Sequence, residues 1–375
     1  MQKRQPTLPE PHDQMLENYN LAIENMPAGQ KSGHWDVFPE DYEKSIESID
    51  EWKTFLRNPL SLGFNDTLIE FDNVRWSEHN KKHKDIDAWK RRKQHDYREL
   101  VGEIVEDKGE QSHILHKVNL LFSVCGPEFV IDNLQSDVGS PQKLPCSYKS
   151  NSNDEKPRGF YCNAHDLGNI YYFWQISRTA DSLFNNESSL IAEIGAGYGG
   201  VISKVKKRYS KARCILFDLP ELSAVQSYYI YNCFPGSNIL YLNDLLERGD
   251  EIFEDDFDFM ILPGWMIERL PSEYIDLVIN MRSMMEMPLA VIDYYFHHIH
   301  RTVKIDGLFA CFNRYHKNTF GEDIIMKKYP YDEFWSLIIS QSSIYQNHIH
   351  DLILRRQKEK DNFPVADRLK SLPPF

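Results

Sequence analysis

Leu190-Ile191-Ala192-Glu193-Ile194-Gly195-Ala196-Gly197-Tyr198-Gly199-Gly200 is the stretch that decides the fold. It begins as an apolar run of strand length, breaks into glycines, and passes directly into residues 201–209, whose spacing is that of a helix. Glycines at such a turn let the backbone approach a ligand closely, and the start of the helix offers N–H groups that have no partner within it. The next apolar run, Arg213-Cys214-Ile215-Leu216-Phe217-Asp218-Leu219, ends on an acid 19 residues after Gly199. A carboxylate at that place accepts hydrogen bonds from ribose hydroxyls. Strand, glycine turn, helix, strand and acid together make a nucleoside-binding arrangement.

Outward from this motif the chain alternates. Residues 165–185 predict a helix, 221–234 a helix, 257–263 and 274–280 strands, 288–303 a helix, and 308–313 a strand after the turn at Asp306-Gly307. Residues 348–356 predict a last, antiparallel edge strand. The expected fold class is α/β, a Rossmann-like, doubly wound and mostly parallel sheet with helices on both faces. Residues 1–158 are expected to form a mainly helical N-terminal region and 159–375 the nucleotide-binding domain, with the Ser-, Pro- and Asn-rich stretch 136–158 as the boundary. The first forty residues read as an arm with little structure. Residues 41–61 predict a helix with Ile46, Ile49, Trp52 and Leu56 on one face, stopped by Asn58-Pro59.

The 375 residues leave room for about two domains. A hydrophobic fraction of 41% and an aromatic fraction of 13% exclude a disordered chain. A net charge of −13 disfavours a nucleic-acid partner, because phosphates call for a basic face. Residues 81–98 are the exception, with eight Lys or Arg against three acids, and read mainly as a solvated helix face. The six cysteines form no CxxC pair, and His297, His298 and His300 lack the i,i+4 spacing of a helical zinc site, so no metal is expected. With no secretory signal and no apolar run of membrane-spanning length, the expected setting is cytoplasmic.

Gly195, Gly197 and Gly200 satisfy GxGxxG, which leaves a nicotinamide or flavin site open. Glu193, Gly195, Gly197 and Gly199 fit ExGxGxG, the loop of S-adenosylmethionine sites. The acid favours the second reading, since a carboxylate suits the cationic methionine end of that donor and repels a pyrophosphate. Taken together, IAEIGAGYGG, FDLPELSAVQSYYIYNCFPG, IDLVINMRSMMEM and GLFACFNRYHK resemble the sugar O-methyltransferases of bacterial polysaccharide gene clusters, over roughly residues 160–335. FDLP at 217–220 is also similar to the same junction in plant small-molecule O-methyltransferases. The resemblance implies a class I methyltransferase fold, S-adenosylmethionine giving S-adenosylhomocysteine, and a saccharide or glycosylated acceptor. The N-terminal helices are then expected to form a lid or a homodimer surface.

Transfer to a sugar hydroxyl needs a positioned acceptor and a base, both at the carboxyl edge of the sheet. Glu286, in the loop after strand 274–280, leads as base; in the plant enzymes a catalytic His follows the corresponding strand. The other reading of Glu286 is a carboxylate at the start of helix 288–303. His316 and His165 are the further base candidates. Arg282, Ser283, Arg314 and Tyr171 are the acceptor candidates. Glu193, Gly195, Ala196, Gly197, Gly199, Asp218, Leu219, Asn280 and Tyr172 are the cofactor candidates. For the adenine, Pro263, Gly264 and Trp265 follow if 257–263 is the third strand; Asp244 is the rival if 241–244 is.

Overall fold

The computed structural model describes residues 11–27, 42–57, 108–141, 143–148, 158–184, 189–319 and 321–372. The basic stretch 81–98 lies outside them. The chain divides by its contacts into two compact units. Among the described residues one holds 108–135 and 141–171, and the other holds 11–57, 136–140 and 172–372. The sequence places a boundary near 158, whereas these contacts divide the chain differently.

The second unit begins with helices α1 (Pro11–Glu24), α2 (Tyr42–Glu47) and α3 (Ile49–Lys53). The smaller unit has α4 (Lys108–Cys125), α5 (Pro127–Asp132) and an antiparallel hairpin of β1 (Leu144–Tyr148) and β2 (Arg158–Cys162). Phe122 packs edge-on against Tyr148 and also meets Phe160, which seats α4 on the hairpin. Helix α6 (Ala164–Phe184) starts in this unit and ends in the other. Asn163 caps it by accepting the Asp166 N–H at 2.7 Å.

The larger unit carries the sheet. Its elements are β3 (Leu190–Ile194), α7 (Gly200–Arg208), β4 (Arg213–Asp218), α8 (Pro220–Cys233), β5 (Ile239–Leu240), α9 (Leu242–Arg248), β6 (Phe259–Pro263), β7 (Ile275–Met281), α10 (Leu289–Thr302), β8 (Val303–Arg314), β9 (His316–Thr319), β10 (Glu322–Ile325), β11 (Trp335–Ser342), β12 (Ile349–Arg356) and α11 (Val365–Arg368). The strand order is β11-β12-β8-β7-β3-β4-β6-β5. From β5 to β8 every pair is parallel, while β12 runs antiparallel to β8 and β11 antiparallel to β12. This is the doubly wound α/β sheet of the class I methyltransferase fold. Every residue of β3 and β6 is buried, as expected of central parallel strands covered on both faces. Helix α10 seats Ile292, Tyr295, Phe296 and Ile299 in the core.

Three expectations need correction. Residues 11–24 are not an arm: they form α1, whose Ala22 joins the sheet core and whose Asn18 Oδ1 accepts the Asn243 N–H at 3.1 Å. The single helix over 41–61 breaks at Ser48 and ends as a 3₁₀ turn at Phe55–Arg57; Ile46, Trp52 and Leu56 are buried but Ile49 is exposed. Trp52 packs on Tyr228, and Phe55 on Tyr198 and Tyr229, so aromatic burial anchors this segment without a continuous helix. Finally, β12 is antiparallel as expected but is not the edge, because β11 pairs outside it.

Candidate functional site

The turn after β3 lies at the carboxyl edge of the sheet, at the point where the strand order runs out in opposite directions through β4 and β7. Gly195, Gly197 and Gly199 have φ of 68°, 60° and 90°, the left-handed region that costs glycine nothing. Asp218, at the tip of the neighbouring strand, holds the turn. Its Oδ2 accepts the Gly197 N–H at 2.8 Å and the Gln226 amide at 3.1 Å, and its Oδ1 accepts the Leu219 N–H at 2.8 Å. Gln226 also donates to the Gly197 carbonyl at 2.8 Å. Burial outweighs these bonds and pushes the Asp218 carboxyl up to about 7. Gln226 escaped the sequence reading; its one signal is a place two turns along the helix that Asp218 introduces.

Glu193 does not reach the groove. Its exposure is 0%, its Oε2 accepts the Ile202 N–H at 3.1 Å, and its Oε1 has no hydrogen-bond partner among the described residues. Burial, opposed by that bond and reinforced by the Asp218 charge, holds its pKa well above the ordinary carboxylate range. The side chain braces β3 against the first turn of α7. The carboxyl group is thus spent inside the fold rather than turned toward the groove where the sequence reading puts it.

Beyond β7, Asn280 and Ser283 weld three strand ends together. The Asn280 amide donates to the Ile194 carbonyl at 2.9 Å and to Ser283 Oγ at 2.6 Å, and Ser283 Oγ donates to the same carbonyl at 3.0 Å. Asn280 Oδ1 accepts the Asn313 amide at 2.7 Å, and Asn313 Oδ1 accepts the Met285 N–H at 3.2 Å. Asn280 and Asn313 are both fully buried. Their bonds serve the turn, whereas the sequence reading offers Asn280 to the cofactor and Ser283 to the acceptor. Arg282 adopts φ of 61° as the chain leaves β7, a left-handed residue without glycine's freedom.

The loop reaches the hairpin of β9 and β10. Glu286 Oε1 lies 2.6 Å from Lys317 Nζ, and each side chain is about a quarter exposed. The first N–H of α10, that of Leu289, goes to Glu322 at 2.9 Å. Thr319 Oγ1 donates to the Met285 carbonyl at 2.8 Å. Strand alternation turns His316 to the other side, where its Nε2 meets Asp323 Oδ1 at 2.9 Å, with Asn318 on the same oxygen at 3.0 Å. Arg314 closes β8, half-buried, beside this hairpin in sequence. Lys317, Asn313 and Glu322 were not among the expected residues.

Tyr172 is a core residue rather than a cofactor contact. It is 1% exposed, its hydroxyl donates to Gln346 at 2.9 Å, and its ring lies 4.9 Å from Phe312. Tyr171 and His165 fall in the smaller unit, where Tyr171 is buried and His165 is half-buried on the first turn of α6. The carboxyl edge described for the larger unit does not include them.

On the other flank β6 is the third strand, its Pro263 paired with Asp218. The rival segment is a helix start, where Asp244 accepts the Tyr241 N–H at 2.8 Å in a capping box. After Pro263 the chain turns at Gly264, where a Cβ would overlap the Tyr295 hydroxyl. Tyr295 is a buried residue, and its hydroxyl has no hydrogen bond among the described residues. Burial and the Asp218 charge raise its pKa, so it stays protonated. Trp265 Nε1 and Gln226 Oε1 are buried and have no partner among the described residues. Ala196 and Leu219 line the same turns, the first buried and the second half-buried.

No family model matches the chain, and no curated protein matches it. Solved structures do match. The complex between the Haloferax volcanii Trm112 methyltransferase activator and a methyltransferase is similar at 13% identity over 53% of this chain and 96% of the other, with a TM-score of 0.34. The mitomycin 7-O-methyltransferase is similar at 12% over 51% of this chain and 57% of its own, TM-score 0.31. A Corynebacterium glutamicum protein assigned as a spermidine synthase is similar at 12% over 58% and 78%, TM-score 0.35. Likenesses this distant add nothing to the strand order described above.

Proposed function

We propose that this chain is an S-adenosylmethionine-dependent O-methyltransferase whose acceptor is a sugar hydroxyl. The observation that carries the reading is the Asp218 carboxylate holding a turn of three left-handed glycines at the head of this particular sheet. The antiparallel pair β12–β11 beside the parallel strands supports methyl transfer over nicotinamide chemistry. The residues fit the donor: the glycine backbone gives room for its methionine arm, Asp218 stands where ribose hydroxyls bind in this arrangement, and Trp265 Nε1, without a partner among the described residues, offers a hydrogen bond to the adenosine together with the Tyr295 hydroxyl.

Held by the glycine turn and Asp218, S-adenosylmethionine would supply a methyl group on a cationic sulfur, with the neutral thioether S-adenosylhomocysteine as leaving group. Glu286 takes the proton from the acceptor hydroxyl whose oxygen the methyl group would join. The sequence resemblance supplies the sugar as acceptor. Calorimetry with S-adenosylhomocysteine and with NAD tests the donor. Tritiated S-adenosylmethionine with a panel of methyl glycosides, nucleotide sugars, phenols and amines tests the acceptor. Tight NAD binding without S-adenosylhomocysteine binding rejects the donor, and label on an amine or phenol alone rejects the sugar.

A further inference from the structure

We propose that Lys317 is a positioning residue that sets the orientation of the Glu286 carboxylate, an inference that rests on the methyl-transfer reading above. The two residues are 31 positions apart and meet because β9 folds back over the loop after β7. On β9 the side chains alternate, so Lys317 and Thr319 face that loop while His316 and Asn318 face Asp323. From β10, Glu322 accepts the Leu289 N–H. The hairpin thus fastens the loop at Met285, Glu286 and Leu289.

The fastened loop is the one that abuts the glycine turn, since a Cβ on Gly195 would overlap Ser283 and come within 3.8 Å of Met287 Cε. The Glu286 backbone is fixed by its own N–H on the Ser283 carbonyl at 2.9 Å. The remaining freedom is rotation of the side chain, and the ammonium at Oε1 removes it. A carboxylate that must meet a hydroxyl proton within hydrogen-bond reach gains rate from that restriction. Lys317 contacts neither the donor nor the acceptor in this account and acts through Glu286.

The test uses the full chain and the variants Lys317→Met, Lys317→Arg, Glu286→Gln and the Lys317→Met/Glu286→Gln double. With a glycoside from the panel, Lys317→Met lowers kcat roughly tenfold to a hundredfold, part of the ~100- to 10,000-fold a general base supplies. The KM for the donor and the calorimetric affinity for S-adenosylhomocysteine stay unchanged. Lys317→Arg restores most of the rate, and the double variant is no slower than Glu286→Gln. Without any donor, amide exchange over residues 284–287 quickens in Lys317→Met and returns to the parent rate in Lys317→Arg. Parent-like kcat and exchange in Lys317→Met, or losses that multiply in the double variant, overturn the assignment. A parent protein that fails to bind S-adenosylhomocysteine overturns the methyl-transfer reading instead. One that binds it but methylates no member of the panel overturns the acceptor and the role of Lys317 together.

Discussion

The hydroxyl of Ser283 occupies the space where a side chain on Gly195 would begin. The glycine turn after β3 and the loop after β7 are therefore packed backbone to side chain, and neither moves without the other. Gly195 is constrained twice, by this contact and by its φ of 68°.

Gly195→Ala should therefore be costly in both respects. The left-handed backbone costs an L side chain about 1–2 kcal/mol. Displacing Ser283 adds about 1–3 kcal/mol by overpacking. Denaturant unfolding is expected to show a loss of that combined size, and calorimetry a loss of S-adenosylhomocysteine binding. A variant as stable as the parent would mean that the two loops are not packed as described.

Asp218 gives a pH dependence whose sign is unusual for a carboxylate. Its folded value of about 7 lies above the ordinary 3.8, so between those values the folded chain keeps a proton that the unfolded chain has released. The contribution of this group to stability is complete below about pH 4 and falls as pH rises toward 7. A ligand whose ribose hydroxyls donate to the ionised carboxylate does the reverse and draws the proton off. S-adenosylhomocysteine should bind more tightly at pH 8 than at pH 6, with proton release detectable by calorimetry in buffers of different ionisation enthalpy. Asp218→Asn should weaken binding and flatten that dependence. Uptake of a proton on binding would contradict the arrangement.

The strands and the glycine turn were legible because each depends on local pattern. Apolar runs five to seven residues long, bounded by turn residues, mark β3, β4, β6 and β7, and a GxGxG run needs no tertiary context to be recognised. The hairpin of β9 and β10 was not legible: its strands are four residues long and largely polar, and its purpose lies in a loop some thirty residues upstream. Strand β11 was missed because it alternates half-buried and exposed positions with no strong apolar run. Glu193 shows the deeper limit. Its position in the motif is plain from sequence, but whether the carboxylate points at a groove or under a helix is decided by the pleat of β3 against α7.

That burial makes Glu193→Gln informative. An amide is close to the same shape, keeps an oxygen for the Ile202 N–H, and carries no charge to desolvate. S-adenosylhomocysteine affinity is expected to change by less than about threefold, below 0.7 kcal/mol, and thermal stability near pH 7 to hold or rise. Glu193→Ala, by contrast, leaves the Ile202 N–H without its acceptor and opens a cavity, at a cost of about 2–4 kcal/mol. A tenfold loss of affinity in the glutamine variant, with stability intact, would restore the carboxylate to the binding site.

The Asn280 network sets an order between two further variants. Removing Ser283 Oγ in Ser283→Ala leaves the Ile194 carbonyl still bonded to the Asn280 amide, so no buried acceptor is abandoned and the cost should stay within about 1 kcal/mol. Asn280→Ala abandons the Ile194 carbonyl to Ser283 alone. It also strips the Asn313 amide of its shortest bond and takes from the Met284 N–H its acceptor at 3.3 Å. With two buried donors affected, the expected loss is about 2–4 kcal/mol. Asn280→Asp should be no milder, because a carboxylate cannot donate to the Ile194 carbonyl and instead faces it with like polarity. Because each residue backs up the other at the Ile194 carbonyl, the two alanine substitutions should couple, the double variant costing more than their sum, since it alone strips that carbonyl of both donors. Equal costs for the single variants, or strict additivity, would show that Asn280 and Ser283 act independently and that the strand ends are held by packing alone.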